Sequence, residues 1–329
     1  MSCELNRVAI TGANGFVGSH VVRTLREAGI FPIPLVRTSQ SEPHEIIVGN
    51  IDELHMHDLP SMDAMVHCVA RTHVTRENKG SAFSAYRQIN VEGTRSALKA
   101  AKRANAQHFV FLSSIKALGE ETKRDNPFQD NSVAAPEDPY GITKLEAENV
   151  VREMASEWGM AWTIIRPPLV YGPGVVANFR SLIEFVERGV PLPFGSVTNK
   201  RSLIYVENLA NFIHFCLRET STRGKIFGIS DEEALSTAEI IRKIAKASGK
   251  QARLINVPPF AAQSLAKWFG LSGLYRRLFA SLEIDPSGAK NLGWRPPFDH
   301  DEAFNRTIKL KRSSLRQRTR NPDTQANRL

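Results

Sequence analysis

A tyrosine and a lysine four residues apart, Tyr140 and Lys144, have the most evident capacity for chemistry in this chain of 329 residues. They open a stretch that predicts a helix over 139–158, where an i, i+4 spacing places both side chains on one face. An ammonium beside a phenol favours the phenolate, so the pair predicts a tyrosine of lowered pKa that acts as acid or base. Ser113 and Ser114 follow a predicted strand and can hydrogen-bond the same substrate oxygen. Together these residues predict a proton-transfer site.

A glycine-rich stretch near the start, TGANGFVG at 11–18, follows a β-branched apolar run and precedes an amphipathic run that stops at Gly29. This order predicts a strand, a turn and a helix. Gly12 permits the sharp turn, Gly15 lets the backbone approach a pyrophosphate, and Gly18 lets the helix pack closely on the strand. Free N–H groups and the positive dipole end of the helix then bind phosphates. The stretch predicts a dinucleotide site.

The elements that must position these residues alternate between strand and helix through the first half of the chain. The strands are short and continuously apolar, as expected where helices cover both faces of a parallel sheet. The predicted fold is α/β, a Rossmann-type doubly wound parallel sheet with ligands at the carboxyl ends of its strands. The predicted strands of this half are 8–11, 31–36, 46–48, 64–69 and 109–113, with a helix over 84–105.

The second half of the chain predicts a smaller substrate-binding lobe that is discontinuous in sequence. After a strand at 161–166 the pattern loosens, and 175–200 and 257–298 are richer in Pro, Gly and aromatic residues. Between them, 203–206, a helix over 206–217 and 226–229 are expected to return to the main sheet. The predicted division places 1–174 and 201–230 in the dinucleotide-binding domain, and 175–200 and 231–308 in the lobe.

Composition excludes several classes of protein. No apolar run is long enough for a transmembrane helix, and the first residues lack the pattern of a signal peptide. The three cysteines are odd in number and widely spaced, which argues against a disulfide framework. His67, His73 and His108 lack ligand spacing, so no metal site is predicted. We expect a cytoplasmic protein.

The net charge of +9 is concentrated in the C-terminal tail. Residues 309–329 have seven cations and one acid, a charge of +6, which leaves +3 for the preceding chain. The tail has few apolar residues and no periodicity, so it is predicted to be disordered. A solvated end is the simplest interpretation, and docking to an anionic surface or an acidic partner is the alternative. Nucleic acid is not an expected partner.

Several motifs together resemble the extended short-chain dehydrogenase/reductases, and among them the NAD-dependent epimerase/dehydratase family that acts on nucleotide sugars. The resemblance covers roughly residues 7–300. The motifs are the glycine turn, NVEGT at 90–94, Ser113-Ser114, Tyr140 with Lys144, and RPPLVYG at 166–172.

The resemblance implies roles for individual residues. Tyr140 is the acid/base, Lys144 binds the nicotinamide ribose and tunes Tyr140, and Ser114, five residues before Gly119, is the catalytic serine. The resemblance also implies a homodimer formed through helices 84–105 and 139–158. Besides Tyr140 and Lys144, the implied cofactor-binding residues are Gly12, Asn14, Gly15, Phe16, Val17, Gly18, Arg37, Asn50, Ile51, Ala70, Asn90 and Pro167.

The cofactor's phosphate state depends on the end of the second strand. A site that prefers NAD usually has an acid there for the ribose 2′-OH, whereas this chain has Val36 followed by Arg37. An arginine with neighbouring hydroxyls suits a 2′-phosphate, so NADP(H) is favoured and NAD(H) remains possible. The alternative is that Arg37 merely points to solvent. Asn50-Ile51 stands where the family often has Asp-Ile for the adenine.

By the same resemblance, Asn178, Phe194 and Arg201 match positions that hold the diphosphate nucleotide of a UDP-sugar. Arg201 has the charge and fork geometry for a pyrophosphate. Arg276 or Arg277 is a candidate second cation. Leu169 replaces a frequent Asn of the family, which removes a usual sugar contact.

The sequence indicates proton and hydride transfer at a sugar more clearly than it indicates which overall reaction is catalysed. Many dehydratases of the family have Asp-Glu after the catalytic residue, and Ile115-Lys116 here excludes dehydration. The first hypothesis is reduction of the C4 ketone of a UDP-4-keto-6-deoxy-N-acetylhexosamine with NAD(P)H, for surface polysaccharide or O-antigen precursors. The favoured NADP and a local likeness around Ser114 and Tyr140 to bacterial 4-ketoreductases support it. The alternatives are a UDP-sugar 4-epimerase with bound NAD and a non-catalytic NADP-sensing regulator.

Overall fold

Seven parallel strands form the main sheet of the computed structural model, which describes residues 5–39, 43–72, 79–123, 125–257 and 279–320. The strands are β1 (Arg7–Thr11), β2 (Phe31–Val36), β3 (Ile46–Ile47), β4 (Ala64–His67), β5 (His108–Leu112), β6 (Ala161–Arg166) and β9 (Lys225–Gly228), with β7 (Leu169–Tyr171) and β8 (Leu203–Tyr205) in a second sheet. The order in the main sheet is β3-β2-β1-β4-β5-β6-β9, so the chain crosses over from β3 to β4 and the strand order reverses between β1 and β4, as in a doubly wound sheet. This confirms the predicted fold class.

Helices cover both faces of the main sheet. In the part of the chain that the structure describes, the helices are α1 (Phe16–Glu27), α2 (Lys79–Arg87), α3 (Gly93–Arg103), α4 (Pro139–Glu157), α5 (Ala177–Glu187), α6 (Val206–Arg218), α7 (Thr237–Ala247), α8 (Ser287–Asn291) and α9 (His300–Arg320). One face of the sheet packs against α1 and α6, and the other against α3 and α4.

The continuous apolar character of the strands follows from this layering. Within β1, Val8 and Ile10 lie in the apolar cluster under α1 and α6, whereas Ala9 lies in the cluster on the opposite face. All three are 0% exposed. Because successive side chains of a strand point to opposite faces, both faces must be apolar when both are covered.

One strand prediction is wrong in its destination. Residues 203–206 were expected to join the main sheet, but β8 pairs in parallel with β7 in a separate two-stranded sheet. The position beside β6 in the main sheet is occupied by β9, which follows β8 in the chain. The following helix, α6, still packs against α1 on the main sheet.

The helix predicted over 84–105 is interrupted. It consists of α2, a π-helical turn at Gln88–Glu92 and α3. A π-turn inserts one extra residue per turn and is often found at functional sites. Here it contains Asn90, one of the predicted cofactor-binding residues.

A third apolar cluster lies beside the main sheet. Helices α5, α7 and α9 pack together there around Tyr171, Phe179 and Phe304. Two segments connect this region to the loop after Ser114: Thr122 N donates to Ser281 O at 2.9 Å, and Phe128 N donates to Glu283 O at 2.8 Å. The loop that follows β5 and Ser114 is therefore hydrogen-bonded to residues of the predicted smaller lobe.

The basic tail begins as a helix. Disorder was predicted from Lys309, but α9 continues to Arg320. The helix is nucleated by a buried first half, in which Ala303, Phe304 and Ile308 pack into the third cluster, so the polar part extends an existing helix. Among the described residues, no helix has the length and apolar character needed to cross a membrane.

Candidate active site

The predicted cofactor-binding residues follow the carboxyl ends of adjacent parallel strands. The glycine turn follows β1, Arg37 follows β2 and Asn50 follows β3, while Ala70 follows β4 and Pro167 follows β6. Because all these strands are parallel, the residues lie along one edge of the sheet. This is the edge at which doubly wound folds bind ligands.

The glycine turn has the geometry of a phosphate cradle. Gly12 adopts φ 65°, and a Cβ on Gly18 would lie 2.1 Å from the Gly12 carbonyl oxygen, which no side chain can tolerate. Helix α1 begins at Phe16, and within the described residues no side chain caps its first turn. Its free N–H groups and the absence of an acid in that turn suit a pyrophosphate. The residues present therefore fit a dinucleotide.

The strand ends beyond the turn differ in exposure. Arg37 and the hydroxyl residues Thr38 and Ser39 are exposed, and Ser39 donates to Glu45. Asn50 is exposed at the start of a 3₁₀ turn. Ile51 packs against α3, where a Cβ on Gly93 would lie 2.7 Å from its Cγ2.

The Asn90 side chain joins two segments of the site by hydrogen bonds. Its Oδ1 accepts from Arg71 N at 2.8 Å, and its Nδ2 donates to Arg71 O at 3.3 Å and to Thr143 Oγ1 at 3.0 Å. It is 0% exposed. Both amide hydrogens are thus used inside the chain, joining the segment after β4 to α4. A direct cofactor contact by Asn90 stays a prediction.

The predicted catalytic residues meet at the N-terminus of α4. Tyr140 and Lys144 lie in the first two turns of this helix, and the Tyr140 hydroxyl hydrogen-bonds with Ser114. Lys144 Nζ donates to Leu112 O at 2.7 Å and lies 4.1 Å from the centroid of the Phe111 ring. The structure therefore brings together all three residues of the predicted proton-transfer site.

The charge states of this pair differ from the sequence-based expectation. Burial raises the pKa of Tyr140 to about 12, and the hydrogen bond with Ser114 acts in the opposite direction. Burial lowers the pKa of Lys144 to about 7, with Glu148 opposing that shift. The expectation of a lowered tyrosine pKa is wrong for the protein alone, because removal from water, aided by the nearby Asp138 carboxylate, outweighs the hydrogen bond with Ser114.

A buried ion pair behind Lys144 was not anticipated from the sequence. Glu148 Oε2 accepts from Arg166 Nη2 at 2.6 Å and Oε1 from Nε at 3.0 Å, a bidentate pair. Ser113 Oγ donates to the same carboxylate, and Arg166 Nη1 donates to Asp130 O at 3.1 Å. The signal was present: Glu148 lies four residues beyond Lys144, on the face of α4 that carries the catalytic pair.

A second charged group, here called the Lys116 cluster, consists of Lys116, Glu120 and Asp138. Lys116 Nζ donates to Glu120 Oε2 at 2.8 Å and to Asp138 Oδ2 at 2.6 Å. Burial raises the pKa of Glu120. Burial acts in the same direction on Asp138, but hydrogen bonds from Lys116 and Gly141 N outweigh it and lower the pKa of Asp138. The cluster therefore has one weak and one strong acid beside Tyr140.

His67, at the end of β4, is buried and hydrogen-bonded to two threonines. Thr94 Oγ1 donates to Asn90 O at 2.7 Å, so it accepts from His67 Nε2, and His67 Nδ1 accepts from Thr11 Oγ1 at 2.7 Å. Burial lowers the pKa of His67 to about 3. The described residues contain no metal-binding cluster, and His73 lies outside them.

Two of the predicted substrate residues converge on one segment of the lobe. The Phe194 ring packs at a tilt against Phe279 with 5.3 Å between ring centroids, and Arg201 Nη1 donates to Ala280 O at 2.9 Å. Burial lowers the pKa of Arg201 to about 10, so it stays a cation at neutral pH. Asn178 is exposed in the first turn of α5.

A cavity of about 400 Å³ borders that segment at Phe279 and Ser281. Its other lining residues are Lys123, Asp125, Ser196, Val197, Thr198, Asn199, Lys200 and Glu283. Leu169, at the position where the family often has Asn, is 45% exposed at the start of β7. Arg276 and Arg277 lie outside the described residues.

The fold and the Ser-Tyr-Lys geometry define a nicotinamide-dependent enzyme of the short-chain dehydrogenase/reductase type. Residues 8–230 match the NAD dependent epimerase/dehydratase family, and the chain belongs to that family. This confirms the resemblance drawn from the motifs.

The chain is similar to several particular proteins over most of its length. The chain is 38% identical over 307 residues to a UDP-glucose 4-epimerase of Vibrio cholerae, covering 91% of this chain and 94% of the relative. The fold is similar to that of UDP-N-acetylglucosamine 4-epimerase from Bacillus cereus, with TM-score 0.75 and 21% identity over 93% of this chain and 99% of that chain. It is also similar to Thermus thermophilus UDP-glucose 4-epimerase in complex with NAD, with TM-score 0.73 and 20% identity over 94% and 99%.

Proposed function

We propose that this protein is a UDP-sugar 4-epimerase. The observation that carries the proposal is the 38% identity to a UDP-glucose 4-epimerase over nearly the whole of both chains. The assembled Ser114, Tyr140 and Lys144 supply the proton chemistry that inversion at C4 requires. The proposal replaces net ketone reduction as the leading hypothesis, since the relatives favour the epimerase alternative.

The roles of the site residues follow from their positions. A nicotinamide cofactor bound at the carboxyl edge of the sheet would supply hydride acceptance and return at C4. Tyr140 takes the proton of the C4 hydroxyl and, after the keto sugar has presented its opposite face for reduction at C4, returns a proton to the same oxygen, which Ser114 hydrogen-bonds. Lys144, whose pKa lies near 7, is protonated in about half of the molecules at that pH, and in its charged form it would favour the Tyr140 phenolate.

The lobe supplies the groups that suit a uridine diphosphate. Arg201 offers a planar guanidinium that can pair with two phosphate oxygens. Phe194 provides an apolar ring beside it, and Asn178 is an exposed amide at the start of α5. The substrate sugar then lies between these groups and the Tyr140 hydroxyl.

Turnover of nucleotide sugars tests the proposal. Protein as purified, with no added cofactor, is given UDP-glucose and, separately, UDP-N-acetylglucosamine, and the C4 epimers are resolved by NMR. We expect conversion of at least one sugar by the wild type. Tyr140→Phe should lose about 10²–10⁴ of the rate, because it removes the acid/base group.

Tyr86→Phe is the matched control. The Tyr86 ring centroid lies 6.4 Å from that of Tyr140, so this variant removes a phenolic hydroxyl from the neighbouring ring and leaves Tyr140 intact. Its rate should stay close to that of the wild type. No epimer from either sugar, with stoichiometric loss of NADPH on a UDP-4-keto sugar, would overturn the proposal in favour of the reductase.

The second candidate, a C4 ketoreductase that uses NADPH, is supported by one observation at the cofactor edge. Arg37, Thr38 and Ser39 follow β2 where a site selective for NAD has a carboxylate, and Arg37 is exposed. We infer that the site accepts the 2′-phosphate of NADP. Arg37→Ala should weaken NADP binding about tenfold or more and leave NAD binding unchanged, as measured by calorimetry. Equal NADP affinity in the variant and the wild type would contradict the inference.

A further inference from the structure

The turn that carries Ser114 and the helix that carries Tyr140 touch at one place. A Cβ on Gly141 would lie 2.3 Å from the carbonyl oxygen of Lys116, so only glycine permits this approach of the two backbones. Asp138, the residue before the helix, caps α4 by accepting from Gly141 N at 2.7 Å. The two catalytic hydroxyl groups are thus carried by backbone segments in direct contact.

Lys116 makes connections to both segments. Its backbone N–H donates to Ser114 Oγ at 3.3 Å. Its ammonium donates to Asp138 Oδ2 at 2.6 Å, on the carboxylate whose other oxygen caps the helix. It also donates to Glu120, which lies four residues further along the same turn. One side chain therefore joins the serine turn to the N-terminus of the tyrosine helix.

We propose that Lys116 is a positioning residue that sets the separation of the Ser114 and Tyr140 hydroxyl groups by tying the serine turn to the helix N-terminus. The C4 oxygen of the substrate must lie within hydrogen-bond reach of both hydroxyls, so small changes in their separation alter the rate of proton transfer. The proposal rests on the proposed function, because that function defines the reaction to be measured.

The contacts of Lys116 in the structure indicate a role that the sequence did not predict. Lys116 stands where dehydratases of this family often have an acid, and on that basis it was used only to exclude dehydration. In the structure its ammonium pairs with two acids, Glu120 and Asp138, and joins them. Lys116 therefore stands at a position where a dehydratase has a reacting acid, but its role here is to orient the groups around Ser114 and Tyr140.

Two substitutions with a matched control test the proposal. Lys116→Met keeps the length of the side chain and removes its charge, and Lys116→Arg restores a cation. Lys243→Met is the control, because Lys243 also bonds an aspartate, Asp301, at 2.6 Å with similar exposure, 28% against 25%, but far along the chain from the site. For each variant, kcat and KM are measured with the nucleotide sugar that the wild type converts.

Lys116→Met should lower kcat about tenfold or more and change KM less than about threefold, because geometry and not binding is lost. Lys116→Arg should recover most of kcat, and Lys243→Met should match the wild type. Equal kcat in Lys116→Met and the wild type, or a loss confined to KM, would overturn the proposal.

Amide hydrogen exchange over residues 138–145 provides a readout that needs no turnover. Exchange should be faster in Lys116→Met, because the cap of α4 loosens, and unchanged in Lys243→Met. Unchanged exchange in Lys116→Met would also overturn the proposal. If the wild type converts no nucleotide sugar, the proposed function fails, and the exchange experiment still decides the role of Lys116.

Discussion

Helix α4 contributes to two charged groups, one at its middle and one at its N-terminus, that differ in their exposure to water. The Glu148–Arg166 pair lies behind Lys144, with side-chain exposures of 1% and 5%. The Lys116 cluster lies beside Tyr140 at the start of the helix, where the Lys116 and Asp138 side chains are 25% and 32% exposed. The buried pair supports the lysine, and the partly exposed cluster supports the tyrosine and the serine.

The difference shows what each group can contribute. A buried ion pair gains little net stability, because desolvation offsets the attraction, but breaking it leaves an unpaired buried charge. A partly exposed pair is screened by water and is worth about 0–1 kcal/mol. We therefore expect the buried pair to govern folding and the exposed cluster to govern fine positioning, and substitutions on the two sides should separate stability from rate.

The largest expected effect is on the buried side. Arg166→Met leaves the Glu148 carboxylate buried and unpaired, which should cost about 3–5 kcal/mol of unfolding free energy in urea denaturation. The double variant Glu148→Gln/Arg166→Met removes both charges and should lose less than the single variant. Equal losses in the single and double variants would show that the charge pair is not what the fold depends on.

Lys144 provides a smaller effect with a defined pH window. Its pKa is about 7 in the folded protein against 10.5 as the ordinary value, so the unfolded chain binds more protons between these values. The free energy of unfolding therefore rises with pH in this window, by about 2 kcal/mol between pH 7 and pH 9. Lys144→Met should remove this rise when unfolding is followed at both pH values. A rise that persists in the variant would assign it to another group.

The smallest expected effect is at the exposed end of the helix. Asp138→Ala removes the cap of α4 and should cost about 1 kcal/mol of unfolding free energy. Asp138→Asn keeps a capping oxygen and should cost less. Ser236→Ala is the matched control, because Ser236 caps α7 away from the site. Ser236→Ala should lower the free energy of unfolding by a similar amount and leave kcat unchanged. A loss of kcat in Ser236→Ala would contradict the distinction between the two regions.

Local patterns in the sequence predicted what local chemistry determines. The bounds of β2 and β6 were predicted correctly, because each is a largely apolar run that begins two residues after a glycine, Gly29 or Gly159. The i, i+4 spacing of Tyr140 and Lys144 needs only the helix, and the glycine turn needs only its flanking strand and helix. These features depend on neighbours in sequence.

The rest of the site depends on contacts between distant segments. Glu148 meets Arg166 across 18 positions, and Lys116 meets Asp138 across 22. No local pattern specifies which buried carboxylate a distant cation will reach. The raised pKa of Tyr140 was missed for the same reason, since burial is a property of the assembled fold.

The path of the C4 hydrogen tests the central claim most directly. UDP-glucose carrying deuterium at C4 is incubated with the protein as purified, and the epimer is isolated and examined by NMR and mass spectrometry. If the hydride leaves C4 and returns within one site, the deuterium remains at C4 of the product. An epimer that has lost the label, or no epimer in a preparation that oxidises NADPH with a 4-keto sugar, would contradict the assignment of this protein as a UDP-sugar 4-epimerase.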